Sequence, residues 1–79
     1  MSARFDGMRV HDYGKATPPR FEIRGALLYE YRRGGQPEFE IRGNEVHEFA
    51  RATLPVYEIR GQLIFEYNRA TAPVYEIRE

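Results

Sequence analysis

The chain has 79 residues, twelve basic against twelve acidic side chains, and no cysteine. That length allows one domain and buries only about 60% of the surface the unfolded chain exposes, while the absence of cysteine excludes disulfides and thiolate metal sites. Balanced charge excludes a global field that would draw the chain to nucleic acid or an anionic membrane.

The first residues, Met-Ser-Ala-Arg-Phe-Asp-Gly, carry no apolar core, and no long apolar run follows. The expectation is therefore neither a secretory signal nor a membrane span, with the cytoplasm as the default location. Basic residues are eleven Arg against the single Lys15. Ten Glu and eleven aromatics surround them, and Arg is the cation suited to planar pairing with carboxylates and to stacking on rings.

Prolines recur at 19, 37, 55 and 73, and Phe/Tyr-Glu-Ile-Arg recurs at 21–24, 39–42, 57–60 and 75–78, always eighteen residues apart. The chain thus reads as four and a half copies of a two-strand unit in a single repeat domain, 1–79. Residues 1–18 form a degenerate capping copy, in which Gly7 matches Gly25, Gly43 and Gly61. Full copies occupy 19–36, 37–54 and 55–72, and a half copy occupies 73–79. Terminal copies of repeat arrays are often atypical.

Alternating polarity with β-branched and aromatic residues predicts strands, and no copy shows a helical period. Counting Gly-x-x as a three-residue turn predicts about nine short strands, at 3–6, 10–15, 19–24, 28–33, 37–42, 46–51, 55–60, 64–69 and 73–78. The fold class is all-β, an antiparallel meander. A two-sheet β-solenoid with one repeat per coil is the alternative, less favoured because parallel strands need longer crossovers.

In this register Tyr57 faces Tyr67 and Ile59 faces Phe65. The aromatics then share one face, including Tyr31, Phe39, Phe49, Tyr57, Phe65, Tyr67 and Tyr75, which is the expected interaction or core face. The opposite face carries the charges, among them Glu40, Glu58, Glu66, Arg42 and Arg60, together with Val10, Leu28, Val46 and Ile64. A two-residue turn would separate Phe65 and Tyr67 from Tyr57 and Ile59.

No constellation for catalysis, cofactor or metal stands out. His11 and His47 occupy a slot that holds Tyr29 and Phe65 in the other copies, so each reads as a replacement for an aromatic. The carboxylates recur identically in every copy, whereas an active site needs one unique arrangement. Arg33, Arg51 and Arg69 beside Tyr31, Phe49 and Tyr67 suggest cation–π packing. Base stacking on such a surface would ordinarily come with a net basic footprint.

In repeat length and aromatic content the units resemble the choline-binding and YD-type repeats of bacterial surface and toxin proteins. The Gly-Trp and Tyr-Asp-x-x-Gly signatures of those families are missing, and the resemblance implies nothing about function. The expectation is a non-enzymatic structural or interaction protein, a homo-oligomer that associates through its aromatic face or strand edges. The alternative is a module binding a carbohydrate, peptide or nucleic acid through aromatic and Arg/Glu rows. A protein or polysaccharide partner fits either; nucleic acid and membrane are disfavoured.

Overall fold

The geometry of the glycine turns sets the architecture. In the computed structural model, which describes residues 4–79, Gly25, Gly43 and Gly61 have φ of +63°, +60° and +65°. The residues after them, Ala26, Asn44 and Gln62, stay at negative φ. Positive φ at the first of two central residues is the type II′ hairpin turn, whose twist suits antiparallel strands and whose first position favours Gly. Arg24 accordingly pairs with Leu27, Arg42 with Glu45 and Arg60 with Leu63. The turns contain two residues, not three.

Eight four-residue strands result among the described residues: β1 Arg9–Asp12, β2 Phe21–Arg24, β3 Leu27–Glu30, β4 Phe39–Arg42, β5 Glu45–Glu48, β6 Tyr57–Arg60, β7 Leu63–Glu66 and β8 Tyr75–Arg78. Every neighbour is antiparallel, in chain order, and β8 pairs back onto β1 to close a barrel. The meander expected from the sequence is formed, and the parallel solenoid is not. Of the expected first strand at 3–6, Ala3 lies outside the described residues, and 4–6 belong to a turn.

Closure gives the half copies their place. Val10 opposes Ile77 and Arg9 opposes Arg78, the same pairing that Ile64 makes with Ile59 and Leu63 with Arg60. The last half copy and the degenerate first copy therefore make a fourth strand pair in the same register, without a connecting turn. Backbone bonds repeat around the ring: the amides of Ile23, Ile41, Ile59 and Ile77 donate to the carbonyls of Met8, Ala26, Asn44 and Gln62 at 2.7–2.9 Å.

The shorter turn corrects the register by one residue. Tyr57 opposes Glu66, Glu58 opposes Phe65, and Ile59 opposes Ile64. Since side chains alternate along a strand, the slip exchanges the faces of β1, β3, β5 and β7 relative to expectation. Val10, Leu28, Val46 and Ile64, assigned from the sequence to the charged face, are 0–3% exposed. Phe65, assigned to the aromatic face with Tyr57, lies on the outer wall.

The interior has three rings of four side chains drawn from alternate strands, the arrangement that fills an eight-stranded barrel. Val10, Leu28, Val46 and Ile64 make the middle ring. Ile23, Ile41, Ile59 and Ile77 lie towards the hairpin turns, and Phe21, Phe39, Tyr57 and Tyr75 lie towards the longer loops. Phe5, also buried, joins the core. Its neighbours pin it across the hairpin end: Asp6 Oδ1 accepts the Gly25 amide at 2.6 Å, and Arg4 Nη2 donates to Asn44 Oδ1 at 2.7 Å.

The connections between copies run over 13–20, 31–38, 49–56 and 67–74, longer than the three residues expected. Each turns at a left-handed residue, Gly14 (φ +72°), Arg32 (+62°), Ala50 (+61°) or Asn68 (+61°), and the 31–38 loop has a second positive φ at Gly35 (+110°). That turn takes the chain off the sheet after four residues, where the sequence pattern alone extends each strand to six. The prolines at 19, 37, 55 and 73 fall in these loops, where their missing N–H is harmless.

Candidate aromatic-end site

At the loop end the barrel core comes to the surface. Phe21, Phe39, Tyr57 and Tyr75 are half-buried and pack in a closed circle, with centroids 5.6, 5.8, 5.7 and 6.0 Å apart around the ring. Interplanar angles of 70–85° make each contact edge-to-face, so each ring offers its positive edge to the next ring's negative face. Burial pushes the Tyr57 phenol up to about 12, with Tyr75 and Glu66 adding to the shift.

Around this pinwheel of rings stand four carboxylates, one per copy. Glu30 opposes Phe21, Glu48 opposes Phe39, Glu66 opposes Tyr57, and Asp12 opposes Tyr75. Each is neutralised by an Arg. Arg33, Arg51 and Arg69 reach Glu30, Glu48 and Glu66 at 3.7–3.8 Å, and Arg20 meets Asp12 at 3.0 Å. The charged row expected along one face is therefore split, with Glu66 on this rim. Glu40, Glu58, Arg42 and Arg60 stay on the outer wall, where Glu40–Arg42 and Glu58–Arg60 pair at 3.4 and 3.1 Å.

The expected aromatic face divides in the same way. Phe39, Tyr57 and Tyr75 belong to the pinwheel. Tyr31, Phe49 and Tyr67 begin the loops just past β3, β5 and β7, beside it. Phe65 lies outside, with Arg60 Cζ 4.8 Å from its ring centre. Equivalent clefts open between pinwheel and loop in successive copies. One, of about 380 Å³, is bounded by Gln36, Pro37, Glu38, Phe39, Glu48, Phe49, Ala50 and Arg51, and so carries two carboxylates to one guanidinium. The next, of about 280 Å³, is bounded by Pro55, Val56, Tyr57, Glu66, Tyr67 and Arg69. Sequence reasoning missed Pro55 and Val56 as cleft walls because it placed them in a strand.

The histidines sit apart from this end, on the outer wall two copies from each other. His11 Nδ1 and His47 Nδ1 lie 3.2 and 3.3 Å from the carbonyl oxygens of Thr17 and Thr53 in the loop that follows each. His47 is 7% exposed and also meets Glu45 Oε1 at 3.3 Å. These contacts fasten loop to wall, a packing role. Comparison of the chain with protein-family models, curated proteins and solved structures found no match.

Proposed function

We propose that this protein is a small non-enzymatic interaction module that binds its partner at the aromatic end of the barrel. The observation that carries this reading is the contrast between the two ends. Phe5 covers one end and is buried, while the other carries a ring of four half-buried aromatics flanked by repeated clefts. Concave sites with a few convergent polar groups are where ligands bind. Recurrence of the same Glu, Arg and aromatic set in copy after copy argues for repeated binding rather than for one reaction centre. Strands of four residues also fall short of the nine to eleven that a bilayer-spanning strand needs.

A thermal-shift panel of ligand classes tests it. One class raises the midpoint by mass action, and the rise disappears in Arg51→Gln/Arg69→Gln. A panel without any rise overturns the reading. Self-association through the same end is a second reading, favoured by exposed Leu54 (79%), Tyr13 (46%) and Tyr67 (37%). Strand edges offer no route to it, because every strand is paired on both sides. Light scattering checks it: the mass of an associating protein rises with concentration and falls back on Leu54→Ser, whereas a constant monomer mass overturns association.

A further inference from the structure

We propose that Tyr31, Arg9 and Arg32 form a binding site for a phosphate monoester, the dianionic group of phosphorylated small molecules and phosphorylated side chains. The site lies apart from the two clefts, and it does not depend on the reading of the aromatic end.

Two residues depart from the repeat at a cost to the fold. Arg9 faces Arg78 across β1 and β8, where the three hairpins put Leu27, Glu45 and Leu63 opposite Arg24, Arg42 and Arg60. Like charges directly opposite each other destabilise a sheet. Arg32 turns the chain at φ +62°, where the equivalent positions hold Gly14, Ala50 and Asn68. A left-handed backbone disfavours a residue with a long side chain. Neither arginine recurs in another copy, and the two come from different copies. They meet on one ring, with Arg9 Cζ 5.7 Å and Arg32 Cζ 5.3 Å from the centre of Tyr31. Packing does not call for both, since Tyr29 and Phe65 carry one guanidinium each, from Arg24 and Arg60. Local rules broken twice at one spot, with no gain to the fold, point to function.

The surrounding charges leave these two unmatched. On the strands that flank β1, Glu22 is held by Arg24 at 3.2 Å and Glu76 by Arg78 at 3.1 Å. Towards the loops, Asp12 is held by Arg20 at 3.0 Å and Glu30 by Arg33 at 3.7 Å. Glu38, at the far end of the 31–38 loop, lines the neighbouring cleft with Arg51. Arg9 and Arg32 are exposed, and among the described residues neither makes an ion pair or a side-chain hydrogen bond. Each guanidinium therefore keeps its five N–H donors for a ligand.

Two unmatched cations beside one ring select the class. A phosphate monoester carries about 1.5 to 2 negative charges at neutral pH and three strong acceptor oxygens, and a guanidinium can pair with two such oxygens at once. Both side chains are long and exposed, so an anion at the edge of Tyr31 is within reach of both, and it relieves their repulsion. A carboxylate would match only one of them. A nucleic-acid backbone carries one charge per phosphate and calls for an extended basic footprint, whereas the acids around this pair are matched and the chain is neutral.

The test is amide-shift titration of the full chain, at constant ionic strength, with phenyl phosphate and with a phosphoserine peptide. At least one gives saturable shifts at Arg9, Tyr31 and Arg32, and the tighter of the two identifies the source of the phosphate. Arg9→Leu and Arg32→Asn, residues taken from the equivalent positions of other copies, each weaken binding at least about tenfold by removing charge-assisted hydrogen bonds. Arg60→Gln, which strips the single guanidinium from Phe65, leaves binding unchanged. The thermal midpoints of Arg9→Leu and Arg32→Asn equal or exceed that of the wild type. Lower midpoints in both would make the arginines packing residues and overturn the proposal. So would the absence of saturable shifts with either phosphate, or shifts that survive both substitutions. Phenyl sulfate, a monoanion of the same shape, or an RNA oligonucleotide without terminal phosphates binds more weakly; equal binding by either overturns the choice of a dianion.

Discussion

Ala50 has φ of +61° where the equivalent positions hold Gly14, Asn68 and Arg32. A left-handed backbone brings Cβ against the following carbonyl and costs roughly 1–2 kcal/mol for a residue other than Gly, Asn or Asp. Glycine removes that strain but gives the unfolded chain more freedom, which offsets part of the gain. Ala50→Gly therefore raises stability by about 0.5–1 kcal/mol, read as a higher urea midpoint with an unchanged slope. A lower midpoint would mean that the loop does not need the left-handed conformation.

Tyr57 gives the second residue-scale expectation. Its phenol keeps its proton to about 12 in the folded barrel, against 10.0 ordinarily. Between those values the folded chain holds a proton that the unfolded chain has released, so stability falls as pH rises. Below pH 10 this contribution is fully present. Tyr57→Phe removes the group, and the decline in thermal midpoint between pH 10 and 12 becomes shallower than in the wild type. An unchanged decline would place the phenol in water.

Among elements, the odd strands test the register. Ile64 is 2% exposed in the middle ring and Phe65 lies on the outer wall under Arg60. Ile64→Ala costs about 2–5 kcal/mol, the range for truncating a buried aliphatic chain. Phe65→Ala costs about 1 kcal/mol. The reverse ranking in denaturant titrations would restore the register expected from the three-residue turn.

The even strands were legible from sequence, because Phe/Tyr-Glu-Ile-Arg alternates with two apolar residues on one side and a Glu–Arg pair on the other. The odd strands were not. Leu63-Ile64-Phe65 and Leu27-Leu28-Tyr29 are apolar throughout, so either face can be taken as the inner one, and the choice fell on the turn. Gly61-Gln62-Leu63 does not announce whether Leu63 belongs to turn or strand. A usable signal lay in comparing copies. One odd-strand position reads Val10, Leu28, Val46, Ile64, while the next reads His11, Tyr29, His47, Phe65. A position that accepts His twice is the one outside the apolar core. The rim of the candidate site stayed hidden for the same reason, since moving Glu66 to the loop end required the correct face.

At the scale of the whole molecule, sheet closure replaces self-association as the means of burying the core. A four-residue strand is about 13 Å long, and one short sheet of this kind would leave its apolar side exposed. Eight of them closed into a ring bury three layers and leave no free edge. The repeat makes closure inexpensive to encode, since one set of contacts serves four times. It also makes the barrel depend on its last strand. Without β8, the middle-ring residues Val10 and Ile64 lose the partners Ile77 and Tyr75. Deleting 73–79 therefore abolishes cooperative unfolding, seen as loss of a sigmoidal thermal transition in circular dichroism. A truncated chain that still melts cooperatively would mean that β8 is an addition to the fold and not its closure.

Nuclear Overhauser contacts across β1 and β8 and across β6 and β7 address the two-residue turn and the closed ring together. Cross-strand contacts of Val10 with Ile77 and of Ile59 with Ile64, retained in a sample diluted with unlabelled protein, are the expected result. Contacts of Ile59 with Phe65 and of Tyr57 with Tyr67, with none between Val10 and Ile77 in the same chain, would contradict it.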